Sequence, residues 1–266
     1  GNDALEDNTT GSANVAVGEG ALSNNTTVTG NTAVGMRALS ANTTGTSNVA
    51  IGYNALTVNT TGAYTTAVGY QALDANTTGA YNTAVGADAL TANTTGTKNT
   101  GIGYEALEAT TTGSWNTSVG SNSLKSNTTG VSNSALGQAA LGSNTTGSQN
   151  TAIGLDALAT QSTANDNTAV GYRALIANTT GASNTAVGSY ALTANTTGTR
   201  HVGIGVSALD ANTTGTENLA IGDHALSQNT TGSYNIAIGN HSLYTQTTDG
   251  TQNVAVGRYS LTYNAS

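Results

Sequence analysis

Side chains that could bind a metal ion or transfer a proton are few in this sequence. There are three histidines, His201, His224 and His241, and no cysteine. Protein sites for zinc and other transition metals bring several imidazole, thiolate or carboxylate ligands together. We read the three histidines as falling at different repeat positions, with His201 in the asparagine column. No Asp or Glu stands at ligand spacing from them, so we interpret each as a stray substitution. The sequence therefore predicts no metal site.

Acidic residues are the second group with possible chemistry. Glu19, Asp88, Glu105, Asp156 and Asp223 each lie just after a glycine. We interpret them as solvated turn residues, and the alternative is weak cation capture by a pair such as Asp88 and Glu105. The sequence has neither a nucleophile elbow nor a phosphate-binding loop in a strand–helix context. We therefore predict no catalytic residues, no cofactor and no enzymatic activity.

Aromatic side chains offer a binding surface rather than a reactive group. Tyr70 is the seventeenth residue after Tyr53, and Tyr64, Tyr81 and Trp115 recur at multiples of that spacing. Exposed rings can stack on sugars or anchor a protein partner. These five residues are our candidate face for a glycan or a receptor. The alternative is that neighbouring rings stack on one another and only stiffen the structure.

The composition excludes several classes of protein. The 266 residues include 34 glycines and no proline, and only 8% are charged, with a net charge of −8. An acidic chain whose few Lys and Arg residues are scattered does not predict nucleic-acid binding. No stretch approaches the ~18–20 apolar residues that a membrane-spanning helix requires.

A single repeated unit positions all of these side chains. Its consensus is N-T-A-V-G-x-x-A-L-x-x-N-T-T-G-x-x, and its first glycine recurs at every seventeenth residue from Gly1 to Gly239. The last step is one residue longer, with the extra residue near Asp249. A leucine stands four residues after each of these glycines, from Leu5 to Leu261. A fixed internal period is typical of repeat architectures.

The repeat predicts a parallel β-solenoid. Two glycines per unit leave pieces too short for helices, and glycine inside a helix costs ~1 kcal/mol relative to alanine. Because β-branched residues favour strands and glycine favours corners, we predict an all-β solenoid of about sixteen 17-residue coils. Each coil should have two short strands, N-T-A-V and A-L-x-x-N-T-T, and coils ~4.8 Å apart would form a rod of roughly 75–80 Å. The array covers the whole chain, residues 1–266, as one domain.

Each repeat position should form a ladder along the solenoid. The leucines and the aliphatic residues before the glycine are predicted to face inward as an apolar spine. The asparagines of N-T-A-V and of N-T-T are predicted to hydrogen-bond from coil to coil through their side-chain amides. The residues that represent these structural ladders are Leu73, Leu90, Leu107, Val68, Val85, Asn82 and Asn99.

The alanine positions suggest self-association. Burial of one Val or Ile, one Leu and two Ala per coil hardly offsets the entropy of ordering the whole coil. Columns of small residues, at Ala16, Ala33 and Ala50 and again at Ala21 and Ala38, could let another backbone approach closely. We expect a parallel homotrimer with an alanine-lined seam. The alternative is that alanine fills a thin single-chain core.

The repeat also carries a resemblance to a known family. The N-T-A-V-G units, and N-V-A-I-G from Asn48 to Gly52, resemble the N-S-V-A-I-G-type repeats of trimeric autotransporter adhesin heads, which are similar to repeats of bacteriophage tail fibres. The resemblance covers the whole chain, although the family's usual unit is shorter and A-L-x-x-N-T-T-G is not its common form. It implies a left-handed β-roll built as a homotrimer. It further implies a structural fibre or stalk at a cell surface or on a virion, used for adhesion and reach.

The paired threonines give an alternative function. Regular threonine arrays on a flat solenoid can bind ice, but adjacent strand residues point to opposite faces, so T-T gives one outward column. An ice-binding or carbohydrate-binding solenoid is therefore the alternative to the fibre. N-T-T is also a glycosylation sequon, although these asparagines could simply be ladder and turn residues.

The ends of the array suggest further chain. The repeat begins at Gly1 and stops within a unit at Asn264, Ala265 and Ser266. Terminal repeats usually need a capping segment. We therefore expect either flanking domains or head-to-tail assembly into a filament, with self-association as the main partnership.

Overall fold

The computed structural model describes residues 1–245 and 250–262, which are all-β and contain no helix. They fall into two compact units, residues 1–132 (unit 1) and 133–266 (unit 2). The strands of unit 1 are β1 (Val15–Val17), β2 (Thr32–Val34), β3 (Val49–Ile51), β4 (Thr66–Val68), β5 (Thr83–Val85), β6 (Thr100–Ile102) and β7 (Thr117–Val119). Those of unit 2 are β8 (Ser134–Leu136), β9 (Thr151–Ile153), β10 (Thr168–Val170), β11 (Thr185–Val187), β12 (Val202–Ile204), β13 (Leu219–Ile221), β14 (Ile236–Ile238) and β15 (Val254–Val256).

Within each unit, every strand pairs in parallel and in register with the next strand along the chain. In unit 1, Thr83 lies beside Thr100, and in unit 2, Ile236 lies beside Val254. The ladder therefore keeps its register across the longer last step. The predicted parallel β-solenoid with a 17-residue repeat is confirmed.

Two expectations lie outside the described residues. The extra residue was placed near Asp249, and the array was expected to stop within a unit at Asn264, Ala265 and Ser266. The described chain resumes at Gly250, from which the next strand, β15, follows.

The second half of each coil is a series of turns, so our prediction of two strands per coil was wrong. Leu90 has a left-handed φ of 55°, and Asp88 has one of 56°. Such a φ costs a residue with a side chain about 1–2 kcal/mol. The turns nevertheless join the coils, because the Leu90 N–H donates to the Ala106 carbonyl at 3.0 Å and the Ala92 N–H donates to the Glu108 carbonyl at 2.9 Å. Burial and these hydrogen bonds offset the local strain.

The core is thin and consists mainly of leucine and alanine. Every seventeenth leucine from Leu22 to Leu243 is fully buried. The central strand alanines, such as Ala33 and Ala50, are equally buried, and so are the alanines that precede the leucines, such as Ala38. The representative leucines of the predicted apolar spine, Leu73, Leu90 and Leu107, all lie in this core. The inward-facing leucine ladder is therefore confirmed.

The aliphatic residue before each corner glycine faces outward, so our prediction that it lines the core was wrong. Val85 is 36% exposed and Ile102 is 39% exposed, whereas Ala84 between Thr83 and Val85 is fully buried. Val68 is half-buried on the same outward side. A three-residue strand presents its central residue to one side and its two ends to the other. Because leucine from the turn half fills the interior, the strand places its smallest residue there.

The position of the alanines also overturns the predicted oligomer seam. Ala33 and Ala38 represent the two alanine columns, and neither has any exposed surface in a single chain. A second backbone therefore cannot pack against them without opening the coil. The alternative interpretation, in which alanine fills a thin single-chain core, describes the structure.

Candidate functional site

Two columns of asparagine side chains run through the interior. In the first, the Asn99 backbone N–H donates to Asn82 Oδ1 at 2.9 Å, and Asn82 Nδ2 donates to the Gly96 carbonyl at 2.7 Å. In the second, Asn93 Nδ2 donates to Asn76 Oδ1 at 2.8 Å. These four side chains are buried. The predicted amide hydrogen bonds from coil to coil are confirmed.

The N-T-T asparagines are ladder and turn residues. Asn93 Nδ2, besides its bond to Asn76, donates to the carbonyl of Gly96 in its own coil at 3.1 Å. The amide nitrogen is thus buried and uses both of its hydrogens. The atom to which a glycan would be attached is therefore enclosed in the folded chain.

His201 occupies an asparagine position, as its place in the repeat predicted, and it is buried inside the ladder. It is therefore a ladder residue and not a stray substitution at a variable position. Its Nδ1 accepts the Asn218 backbone N–H at 3.2 Å, so Nε2 carries the proton and donates to the Gly215 carbonyl at 2.6 Å. Burial lowers the pKa of His201 to about 4, although the hydrogen bond from Nε2 to the Gly215 carbonyl acts in the opposite direction. A neutral imidazole thus replaces an amide in the ladder.

The other two histidines share one repeat position, so our interpretation of them as unrelated was wrong. The rings of His224 and His241 stack with centroids 5.0 Å apart, and Tyr244 and Tyr259 lie 4.9 and 5.3 Å from His241. His224 Nδ1 lies 2.8 Å from Asp223 Oδ1. The 17-residue spacing was the signal that sequence reasoning missed. Within the described ranges, no three His, Cys, Asp or Glu side chains converge on a possible metal position.

The candidate aromatic face contains two pairs of stacked rings. Tyr53 and Tyr70 lie with ring centroids 5.5 Å apart and planes within 9° of parallel. Tyr64 and Tyr81 are 5.3 Å apart with planes within 7°. Each pair comes from adjacent coils. The rings therefore pack against one another, which is the stiffening role we had set out as the alternative.

Trp115 carries a cation on its ring face. Lys98, one coil earlier, places its Nζ 3.8 Å from the ring centroid, and Trp115 is 59% exposed. A sugar platform needs a free ring face. Because the tyrosine pairs and the Lys98–Trp115 pair already use ring faces, the contacts favour reinforcement between coils. A glycan or receptor role for these residues stays a prediction.

Charged side chains also connect neighbouring coils. The Lys125 ammonium contacts Glu105 and lies 3.4 Å from Glu108. The hydrogen bond from Lys125 lowers the pKa of Glu105, and the same bond raises the pKa of Lys125. Lys125 thus pairs with Glu105, one of the two carboxylates that we had considered for weak cation capture, and capture of a cation by Asp88 and Glu105 stays a prediction. Further ion pairs one coil apart are Asp156–Arg173 and Arg200–Glu217.

The two threonines of N-T-T have different surroundings. Thr77 Oγ1 donates to the carbonyl of Thr94, one coil later, at 3.0 Å. The second threonine, for example Thr95, is exposed. In unit 1 these second threonines form an unbroken exposed column from Thr10 to Thr129. The prediction that T-T gives one outward column is confirmed.

A further surface was missed by sequence reasoning. The first and third residues of each strand point outward, and we call these two rows the outer strand face. The first row is threonine in eight of the fifteen described strands, and the third residue is Val, Ile or Leu in all of them. The signal for this face was the alanine between them, which is small enough to face the leucine column.

These features define the chain as a parallel β-solenoid repeat protein. No protein-family model matches it, and the comparison with curated proteins gives no match. In the part of the chain that the structure describes, we find no helix of sufficient length and apolarity to cross a membrane.

Proposed function

We propose that this chain forms the structural shaft of an extracellular fibre, either a surface adhesin or a phage tail fibre, which provides reach for adhesion. The observation that carries the proposal is the repeated interior of each unit. Leucine, alanine and asparagine recur there in nearly every described coil, and within each unit backbone and amide hydrogen bonds join each coil to the next. Stacked repeats in which each coil contacts its neighbours are the kind of structure that a shaft requires.

Self-association belongs to this proposal, and a parallel homotrimer is the arrangement we propose. The resemblance of N-T-A-V-G to adhesin-head and tail-fibre repeats supports it. The partner at the far end of such a fibre would be a host-surface glycan or receptor. Nucleic acid is not a proposed partner, because the net charge is −8 and the six Lys and Arg residues are scattered.

Surface labelling tests the location. Antibodies raised against unit 1 should label intact cells or particles of the source by immunogold electron microscopy. A tagged cytoplasmic protein of the same source serves as the control and should be labelled only after permeabilisation. Labelling of this chain that also requires permeabilisation would contradict the proposal.

Ice binding is the second candidate, and the exposed threonine column favours it. The column is regular. The hydroxyl of the first threonine in the pair, for example Thr77 or Thr94, donates to a backbone carbonyl of the next coil and so fixes the backbone next to the exposed second threonine. If this column binds ice, the protein will inhibit ice recrystallisation, and Thr78→Lys together with Thr95→Lys will remove that activity. Absence of activity in the unaltered protein would dismiss this candidate.

A further inference from the structure

Two imidazole side chains lie next to each other on the surface of unit 2. His224 and His241 occupy the same position in consecutive coils, and both have a left-handed φ, of 53° and 55°. The His241 backbone N–H donates to the Asp223 carbonyl at 2.9 Å, so a backbone hydrogen bond fixes the step between the two coils. The His224 side chain is 37% exposed, and a dissolved ion can therefore reach it.

A chain of hydrogen bonds holds both rings through the same nitrogen. Asp223 Oδ1 lies 2.8 Å from His224 Nδ1, and because a carboxylate only accepts hydrogen bonds, Nδ1 carries the proton. Asn240 Nδ2 donates to Asp223 Oδ2 at 3.2 Å, which identifies the other atom of its amide as the oxygen. This Oδ1 lies 2.9 Å from His241 Nδ1, so His241 also carries its proton on Nδ1.

Both rings therefore have a lone pair on Nε2. A neutral imidazole with its proton on Nδ1 has Nε2 as an acceptor. Over residues 1–245 and 250–262, the Nε2 atoms of His224 and His241 make no hydrogen bond. Metal-binding histidines in proteins donate their other ring N–H to a carboxylate or another oxygen, as these two do. The hydrogen bonds that support the ligands of a metal site are thus present around both rings.

The spacing of the rings allows both Nε2 atoms to bind one ion. Two bonds of ~2.0–2.1 Å from a cation to imidazole nitrogens let these nitrogens lie up to ~4.2 Å apart. The ring centroids of His224 and His241 are 5.0 Å apart and their planes are inclined by 19°. A small rotation of the two side chains therefore brings the nitrogens into range. Tyr244 and Tyr259 pack against His241 and limit how far its ring can move.

The charge and the ligand type define which ions fit. The Asp223 carboxylate is bonded to His224, and the Asp210 carboxylate, one coil earlier, is close enough to His224 for a charge interaction. Negative charge beside the rings favours a cation. Imidazole nitrogen suits Zn²⁺, Ni²⁺ and Cu²⁺, whereas Ca²⁺ and Mg²⁺ prefer oxygen ligands. Among these divalent ions, Cu²⁺ generally binds such ligands most tightly.

We propose that His224 and His241 bind one divalent transition-metal cation, Zn²⁺, Ni²⁺ or Cu²⁺, through their Nε2 atoms. Water completes the coordination, because no third protein ligand converges with them among the described residues. The ion links two adjacent coils of unit 2. This site departs from our sequence-based prediction of no metal site, which overlooked that the two histidines share one repeat position. It goes beyond the proposed fibre and does not depend on it.

Titration of the full chain with Cu²⁺ alone tests the inference. Calorimetry of the unaltered protein should show one Cu²⁺ bound per chain, and its electron paramagnetic resonance spectrum should show coupling to two imidazole nitrogens. His224→Asn and His241→Asn should each lower the association constant at least tenfold, since one of the two ligands is lost. Asparagine already occupies this repeat position, with a left-handed φ, at Asn54 and Asn122. Both variants should therefore keep the circular dichroism spectrum of the unaltered protein.

Two further variants separate the site from the rest of the chain. His201→Asn removes the buried third imidazole and should bind Cu²⁺ as the unaltered protein does. Asp223→Ser removes the carboxylate that orients His224, and serine occupies the same repeat position at Ser121 and Ser189. We expect this variant to bind about 10–100-fold more weakly while it keeps the coupling to two nitrogens, because Asp223 positions a ligand and is not itself one.

Three outcomes would overturn the inference. The first is that the unaltered chain shows no saturable binding of Cu²⁺. The second is a spectrum of bound Cu²⁺ that shows oxygen ligands alone, which would place the ion on carboxylates. The third is binding of unaltered strength in both His224→Asn and His241→Asn. Surface labelling, which tests the fibre, is independent of all three.

Discussion

Asn93 donates its side-chain Nδ2–H to the Oδ1 atom of Asn76, one coil earlier, across 2.8 Å. The next coil has Thr110 at this ladder position, and Asn93 Oδ1 is buried without a hydrogen-bond partner. A buried acceptor that is left unsatisfied costs about 1–3 kcal/mol. The ladder is therefore weakest where the sequence departs from N-T-T.

Restoring asparagine at this position should stabilise the protein. Thr110→Asn supplies an Nδ2 donor to Asn93 Oδ1, so we expect the free energy of unfolding in urea to rise by about 1 kcal/mol. The matched variant Asn76→Thr removes the Nδ2 group that donates to Asn59 Oδ1. It should lower the free energy of unfolding by about 1–3 kcal/mol. Equal stability of Thr110→Asn and the unaltered protein would show that the ladder bonds contribute nothing.

Acid should destabilise the fold through His201. Its pKa is about 4 in the folded chain and 6.5 as the ordinary value, so the unfolded chain binds the proton first. The free energy of unfolding therefore falls as the pH is lowered from 6.5 to 4. Below pH 4 His201 causes no further loss, and the total loss from this residue is about 3 kcal/mol. His201→Asn restores the ladder residue and should remove this part of the loss in urea unfolding measured across that range. An unchanged pH dependence in His201→Asn would contradict the assignment.

The inward and outward aliphatic residues should differ in their effect on stability. Leu107→Ala creates a cavity in the core and should cost about 2–5 kcal/mol. Ile102→Thr replaces an outward residue by threonine, which is the first outward residue of many strands. It should lower the free energy of unfolding by less than about 1 kcal/mol. Chemical unfolding of the two variants at one pH measures the difference. A larger loss of stability for Ile102→Thr than for Leu107→Ala would show that the aliphatic residues before the glycines lie in the core.

The corner glycine is required because coils approach closely at that point. Gly86 has a φ of +136°, and a Cβ there would collide with the carbonyl oxygen of Gly103 in the next coil. Gly86→Ala should therefore cost about 3 kcal/mol or more. At Gly20 the φ is +64° and a Cβ would meet nothing closer than Arg37 Cγ at 3.8 Å, so Gly20→Ala should cost about 1–2 kcal/mol. Thermal unfolding monitored by circular dichroism compares the two, and similar losses would contradict this account.

The register of the fold could be predicted because the 17-residue period is visible in the amino-acid sequence. A leucine at every seventeenth residue requires that Leu90 and Leu107 stack if the chain winds once per unit, and both are buried one coil apart. The asparagine ladder followed from the same argument. Buried amides need partners, and identical amides one coil apart provide them, as Asn82 and Asn99 do.

The orientation of the strand could not be read in the same way. Valine is more apolar than alanine, so hydrophobicity alone placed Val85 inside and Ala84 outside. The side that faces inward depends on how much space the turn half leaves, and Leu90 fills that space from a left-handed backbone conformation that leucine rarely adopts. No single-residue preference predicts this conformation. The error about His224 and His241 was different, because their 17-residue spacing was visible and was overlooked.

The nearly uniform interior makes the coils interchangeable. Any coil that presents Leu, Ala and Asn at the standard positions offers its neighbours the same contacts as the coil it replaces. Insertion or loss of a whole 17-residue unit by recombination within the gene therefore creates no new junction to be optimised. Evolution can adjust the number of coils in single steps while each surface column varies independently.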